Sequence, residues 1–244
     1  MPDDDDGLRA FIDALVDDES LPDPRQPSPR KVRRSEALRV VRDFLETSKE
    51  ATASMPAVAE AMGVKLACLA GCSDCCEQLV LISAPEADVI AEWLSAPGRE
   101  ALLEAFHRRA GTWLAKCGAD ALRALIAMGE GRLDDARRSS RQVALQRQLC
   151  PLHDGRGCTA YEVRPFICRK VYVAHTHENC RATTPVRHAE LISSPEHDRF
   201  FHAAGRVCRG LQYGMGQGLL FQALPIAISN ALERLAEAGA EGAD

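Results

Sequence analysis

The sequence predicts a mainly α-helical, all-α protein, and three observations predict it. Apolar residues recur at helical spacing through most of the chain, and helix-start and helix-stop signals bracket those stretches. Almost nothing between residues 84 and 149 alternates as a strand would. The third observation is where the pattern breaks: around residues 68–76 and from 150 to about 195 periodicity fails and cysteines gather. The expected architecture is therefore a helical body carrying two irregular cysteine-rich segments that form a metal site.

Taken in order, residues 8–19 place Leu8, Phe11, Ile12 and Leu15 on one face, a short amphipathic helix able to dock on the body. "LPDPRQPSPR" carries four prolines in ten residues and reads as an extended linker. Residues 1–34 are thus a short helix plus linker, and 35–240 a single cysteine-cluster domain. Ser35 is the expected N-cap of the first domain helix, with Leu38, Val41, Phe44 and Leu45 as its apolar stripe. A short helix over 55–62 stops at Gly63. "QLVLIS" is an apolar run too short to classify, and "SAPEADVIAEWLSAPG" is a helix with Ser83 and Glu86 as capping box and Pro97-Gly98 as stop. Helical patterns continue to residue 149, and helices over 196–213 and 218–238 close the chain.

At 244 residues the chain buries enough apolar surface to fold without disulfides. Its ten cysteines, about 4% of the chain, fall short of a secreted disulfide scaffold. "MPDDDDGLRAF" is acidic where a secretory signal needs positive charge, so the expectation is a cytoplasmic protein with reduced thiols. No run reaches the ~18–20 apolar residues of a membrane span; "GLLFQALPIAI" is interrupted by Gln222 and Pro225. The net charge of −5 argues against nucleic acid as main partner, and the Arg-rich stretches 25–39 and 132–142 read as solvated surface. There is no Gly-rich phosphate loop and no G-x-S-x-G elbow to name a small-molecule substrate, and nothing names a protein partner.

The cysteines carry the chemistry. "CLAGCSDCC" holds Cys68, Cys72, Cys75 and Cys76, and about 75 residues on come Cys150, Cys158, Cys168 and Cys180. Thiols that avoid the helices and collect on irregular backbone suit metal coordination, where ligands converge on a point from several directions. Cys117 and Cys208 instead fall on apolar helix stripes, as core cysteines do. Adjacent Cys75 and Cys76 diverge and do not readily reach one tetrahedral ion, which points to a second metal, a bridging thiolate or a spare reactive thiol. A vicinal disulfide would be strained. Thiolates suit zinc, copper(I) and iron–sulfur clusters alike, so the metal stays open. Cys68, Cys72 and Cys75 also have the spacing of the radical SAM signature, but the strands of that fold do not follow. His153, His175 and His177 are further candidate ligands.

These residues resemble the cysteine-cluster family described as a zinc- or iron-chelating domain, the CxxCxxCC or YkgJ-like family. The match in the second block runs through Cys150, Pro151, Leu152, Cys158, Tyr161, Arg164, Pro165, Cys168 and Arg169. The first block departs from the pattern: three residues, not two, separate Cys68 from Cys72. The resemblance covers roughly residues 64–182 and implies a metal ion or iron–sulfur cluster, with some relatives described as iron–sulfur oxidoreductases or flagellin lysine N-methylases. Arg164 and Arg169 are expected to offset the charge of the thiolates from outside the ligand shell. Two functions follow: a metal-binding module, zinc-stabilised or carrying a cluster, or an iron–sulfur redox or group-transfer enzyme.

Overall fold

A computed structural model describes residues 5–17, 28, 30–68, 72–176, 180, 191–218 and 221–241. His177 therefore lies outside the described residues. The chain runs through α1 (Asp5–Asp17), α2 (Arg34–Ala53), α3 (Met55–Ala61), a 3₁₀ turn (Asp74–Glu77), β1 (Leu81–Ile82) and α4 (Ala84–Leu94). It continues with α5 (Glu100–Gly129), α6 (Leu133–Leu145), a second 3₁₀ turn (Tyr161–Val163), α7 (Phe166–Lys170), α8 (Pro195–Gly214), β2 (Gln222–Ala223) and α9 (Leu224–Glu241). The class is mainly α, as the periodicity predicts. Among the described residues no helix is long and apolar enough to cross a membrane.

Local differences from the sequence reading have physical reasons. α2 starts at Arg34, one residue before the expected cap, because Glu36 reaches back to the Arg33 N–H at 2.7 Å and also meets the Arg30 and Arg33 guanidiniums. Burial works to raise the Glu36 pKa, but the Arg33 N–H and the two arginines outweigh it and hold the carboxyl below its ordinary range. α5 runs unbroken through Gly111 and Gly118, although each glycine costs about 1 kcal/mol in a helix. Ala110, Trp113, Cys117, Ala121 and Ala124 keep one buried stripe along it, and α6 packs antiparallel on its second half. The last helix begins at Leu224, six residues late. Gln222 and Ala223 instead pair antiparallel with Ile82 and Leu81, giving the unclassified "QLVLIS" run its strand, and the Leu224 N–H continues the contact to Val80 O at 2.9 Å.

Two apolar clusters position everything else. In one, α1, α2 and α8 meet through Leu8, Val41, Leu45, Phe201, Val207 and Leu211, and Phe166 of α7 joins them. The N-terminal helix therefore docks as its apolar face predicts, and Arg206 holds its last turn by donating to the Leu15 and Val16 carbonyls at 3.1 and 2.6 Å. In the other cluster, α4, α5 and α9 pack through Ile82, Ile90, Leu94, Phe106, Leu224 and Ile228, with Leu152 and Ala160 among them. A fully buried carboxylate ties the helices: Asp88 of α4 faces Arg34 of α2 at 3.3 Å and Arg234 of α9 at 2.8 Å. The second cysteine segment is thus clamped by its own apolar residues, Leu152 and Ala160 in one cluster and Phe166 in the other. Each large side chain so buried contributes roughly 1.5–3 kcal/mol. Cys117 and Cys208 lie buried on helix stripes, where the sequence places them.

Candidate metal centre

The first cysteine segment leaves α3 through Gly63, whose φ of 68° is the left-handed turn that a glycine accepts freely. It then runs beside residues 173–174: Leu66 bridges Ala174, and the Ala67 N–H donates to Val173 O at 2.8 Å. That pairing delivers Cys68. Cys72 precedes the 3₁₀ turn Asp74–Glu77, which carries Cys75 and Cys76 and is closed by Cys76 N–H to Ser73 O at 2.8 Å.

The second segment is folded onto this turn. The Cys150 N–H donates to Cys76 O at 2.8 Å, and the Gln78 side-chain amide donates to Cys180 O at 2.7 Å. Cys150 and Cys158 sit on a tight loop closed by His153 N–H to Cys150 O at 2.8 Å, by Thr159 N–H to Leu152 O at 2.7 Å and by an antiparallel bridge between His153 and Cys158. Asp154 accepts from the Arg156 and Gly157 N–H groups at 2.8 and 3.0 Å at its tip. Backbone groups also address the sulfurs: Leu152 bonds Cys150, Ala160 bonds Cys158 and Val173 bonds Cys68, each favouring the thiolate. Cys168 rides on α7, and the Phe166 N–H at that helix's start donates to Glu86 of α4 at 3.0 Å.

The eight thiols share one electrostatic field. The charge of Cys75 is felt at Cys68, Cys76, Cys150, Cys158, Cys168 and Cys180. Cys75 is exposed, and the Cys76 thiol hydrogen-bonded to it lowers its pKa, with help from Arg164. Cys76 is raised by the same bond and by burial. Burial pushes Cys150 and Cys180 up to about 12 and raises Cys68, Cys158 and Cys168. A cluster of this kind gives up its remaining protons most readily to a cation that replaces them. None of the ten cysteines is in a disulfide.

Arg164 and Arg169 part company. Arg164 lies over the Tyr161 ring at 4.5 Å, and its charge lowers Cys68, Cys75, Cys158 and Cys168. Its Nε is buried without a hydrogen-bond partner. Arg169 is buried and donates to the Arg164, Glu162 and Tyr161 carbonyls at 2.9, 2.8 and 3.3 Å, so its main work is to fold the loop. Its charge still reaches Cys158. The His153 Nδ1 accepts the Gly155 N–H at 2.9 Å. In the neutral ring the proton is then on Nε2, which is buried without a partner, so His153 presents a donor rather than a ligand lone pair. His175 is exposed at a φ of 65°.

The donor chemistry fits a soft metal: eight thiols, N–H groups aimed at three of the sulfurs, and an unmatched guanidinium N–H beside them. The side chains are not closed on a point. Among the described residues no three His, Cys, Asp or Glu side chains are gathered so as to hold a metal ion as they stand. Two positioning residues escape a sequence reading. Glu86 is visible only as a capping residue, and Gln78 carries no signal at all.

No family model matches the chain, and no curated protein or solved structure matches it.

Proposed function

We propose that this is a metal-binding protein whose two cysteine segments together hold zinc or an iron–sulfur cluster through thiolates. One observation carries the reading: segments about 75 residues apart are hydrogen-bonded to each other at the Cys75–Cys76 turn, by Cys150 N–H to Cys76 O and by Gln78 to Cys180 O. An ordinary core cysteine needs no such arrangement. The resemblance to the zinc- or iron-chelating cysteine-cluster family agrees with it. A reducing cytoplasm, where ten free thiols persist, is the compartment that suits it. Arg164 offsets the charge of the bound thiolates, and Arg169 shapes the loop that presents Cys158 and Cys168. When bound, the metal would supply either a rigid tetrahedral anchor or an electron-accepting centre. A cavity of about 210 Å³ is lined by Ala84, Gln212, Gln217, Gln222, Ala227 and Arg234, none of them one of the eight cysteines.

The test is anaerobic purification followed by elemental analysis and an absorption spectrum. A stoichiometric metal that falls in Cys158→Ser and Cys168→Ser supports the reading; colourless protein with zinc and brown protein with iron separate the two metals. Protein without stoichiometric metal overturns it.

A further inference from the structure

The long helix α5 is apolar on two faces. One carries Trp113, Cys117, Ala121 and Ala124, all buried. At about 100° per residue, Gly111, Leu114, Ala115, Gly118, Leu122 and Ile126 fall within a second arc of about 120°. That arc meets solvent: Leu114 is 37% exposed, Leu122 55% and Ile126 48%, and Leu133, at the tip of the α5–α6 hairpin, is 59% exposed. The charged residues between Gly111 and Gly129 are Lys116, Asp120 and Arg123, and all three lie off the arc. An apolar arc of this width is what a helix normally turns to a core. Exposed apolar side chains are ordinary when scattered, but a contiguous row of them marks an interaction surface.

Two glycines on the same arc agree. A Cβ at Gly111 would meet nothing within 4 Å, and one at Gly118 would meet only Leu114, at 3.8 Å. Packing within the chain does not require either position to be small, yet each weakens the helix. Small residues at a helix crossing let a second helix come close.

We infer that this face is the contact of a reversible homodimer, in which α5 packs antiparallel on α5 of a second copy about a two-fold at Gly118. Charge selects that occupant. Residues equally distant from Gly118 face one another across such a pair, so Leu114 of each copy meets Leu122 of the other. Arg108 and Glu130 lie toward opposite ends of the face, on the same edge of it, and their side chains are 66% and 57% exposed. The antiparallel two-fold sets that edge against its own copy, so Arg108 meets Glu130 at both ends; a parallel pair would set Arg108 against Arg108. A contact of this kind is self-complementary, as two-fold interfaces are. From Arg108 to Glu130 the face runs about 33 Å, and a helix with side chains is about 10–12 Å across, so the flat strip is roughly 400 Å² per copy. Interdigitated side chains bring the two copies to roughly 1,000 Å², the lower limit of a specific interface, so the expected Kd is weak, about 1–10 µM. The inference is independent of the metal, since α5 carries none of the eight clustered cysteines.

The experiment is sedimentation equilibrium of the full chain as purified, without oxygen and with reductant so that no disulfide links copies, from about 1 to about 100 µM. Wild type should pass from monomer to dimer across this range. Leu122→Glu puts a charge in the middle of the face and should stay monomeric, with helical circular dichroism unchanged. Arg108→Glu turns two rim contacts repulsive and should raise Kd about tenfold. Arg108→Glu/Glu130→Arg should restore it, which a merely structural role of either residue would not do. Wild type that stays monomeric throughout overturns the inference, and so does a dimer that Leu122→Glu leaves intact. A dimer indifferent to Arg108→Glu overturns the antiparallel register. Monomeric wild type that floats with phosphatidylcholine vesicles, while Leu122→Glu does not, assigns the face to lipid and equally overturns the dimer.

Discussion

Glu86→Ala removes one side chain from α4 and tests how the second cysteine segment is held. Glu86 is 5% exposed. One carboxylate oxygen accepts the Phe166 N–H at 3.0 Å, and the other accepts the Ser83 N–H at 2.9 Å and the Ser83 hydroxyl at 2.7 Å. The substitution leaves two buried backbone N–H groups unpaired, and each such group costs about 1–3 kcal/mol. The Ser83 Oγ keeps the residue-86 N–H that it already accepts at 3.4 Å and loses only the acceptor of its own hydroxyl proton. The sum is a destabilisation of about 2–6 kcal/mol, a large part of the roughly 5–15 kcal/mol of a typical domain. Urea unfolding followed by helical circular dichroism measures it. Because Phe166 begins the helix that carries Cys168, metal content should fall with it, and Glu86→Gln should lie between wild type and Ala in both. A Glu86→Ala variant within about 0.5 kcal/mol of wild type would refute the anchoring role. The same carboxyl gives a pH signature. Burial outweighs its three donors and raises its pKa above the ordinary 4.5. Its contribution is therefore full below about pH 4.5 and is lost as pH rises through the folded value, a falling component that Glu86→Gln should remove.

Three further outcomes are expected. Gly214→Ala places a Cβ 2.5 Å from Val32 Cγ2 and 3.0 Å from the Arg30 carbonyl, so thermal unfolding should show a loss of about 1–3 kcal/mol from overpacking. His197 is buried against Phe201 and Tyr172, and burial lowers its pKa from 6.5 despite Asp198. The unfolded chain then binds that proton more tightly, so stability is full above about pH 6.5 and falls as pH drops toward the folded value; His197→Phe should flatten this slope in pH-dependent unfolding. Phe106→Ala, in the cluster that clamps Leu152, should cost about 3–5 kcal/mol in urea unfolding.

The helices were legible because their evidence is local. Ser83 with Glu86, the Leu8–Leu15 face and the break at Gly63 each read from a few consecutive residues. What was not legible depends on partners distant in sequence. The "QLVLIS" run becomes a strand only because Gln222 and Ala223 come beside it, and the same contact delays α9 to Leu224. In the site, the cysteines announce themselves by type and crowding, while Glu86 and Gln78 do their work through bonds to Phe166 and Cys180, 80 and 102 residues away. Arg169 shows the opposite case. A motif position expected to offset the thiolate charge also gives its guanidinium to three carbonyls, while its charge reaches Cys158. Sequence spacing places a charge near a site, and only the fold says which of its donors remain for that site.

X-ray absorption at the edge of the bound metal, on anaerobically purified full-length protein, tests the central claim most directly. Joint binding by the two cysteine segments predicts a shell made of sulfur, at about 2.3 Å if the metal is zinc, that is altered in both Cys72→Ser and Cys168→Ser. A shell dominated by nitrogen and oxygen, or one indifferent to changes in either segment, would contradict it.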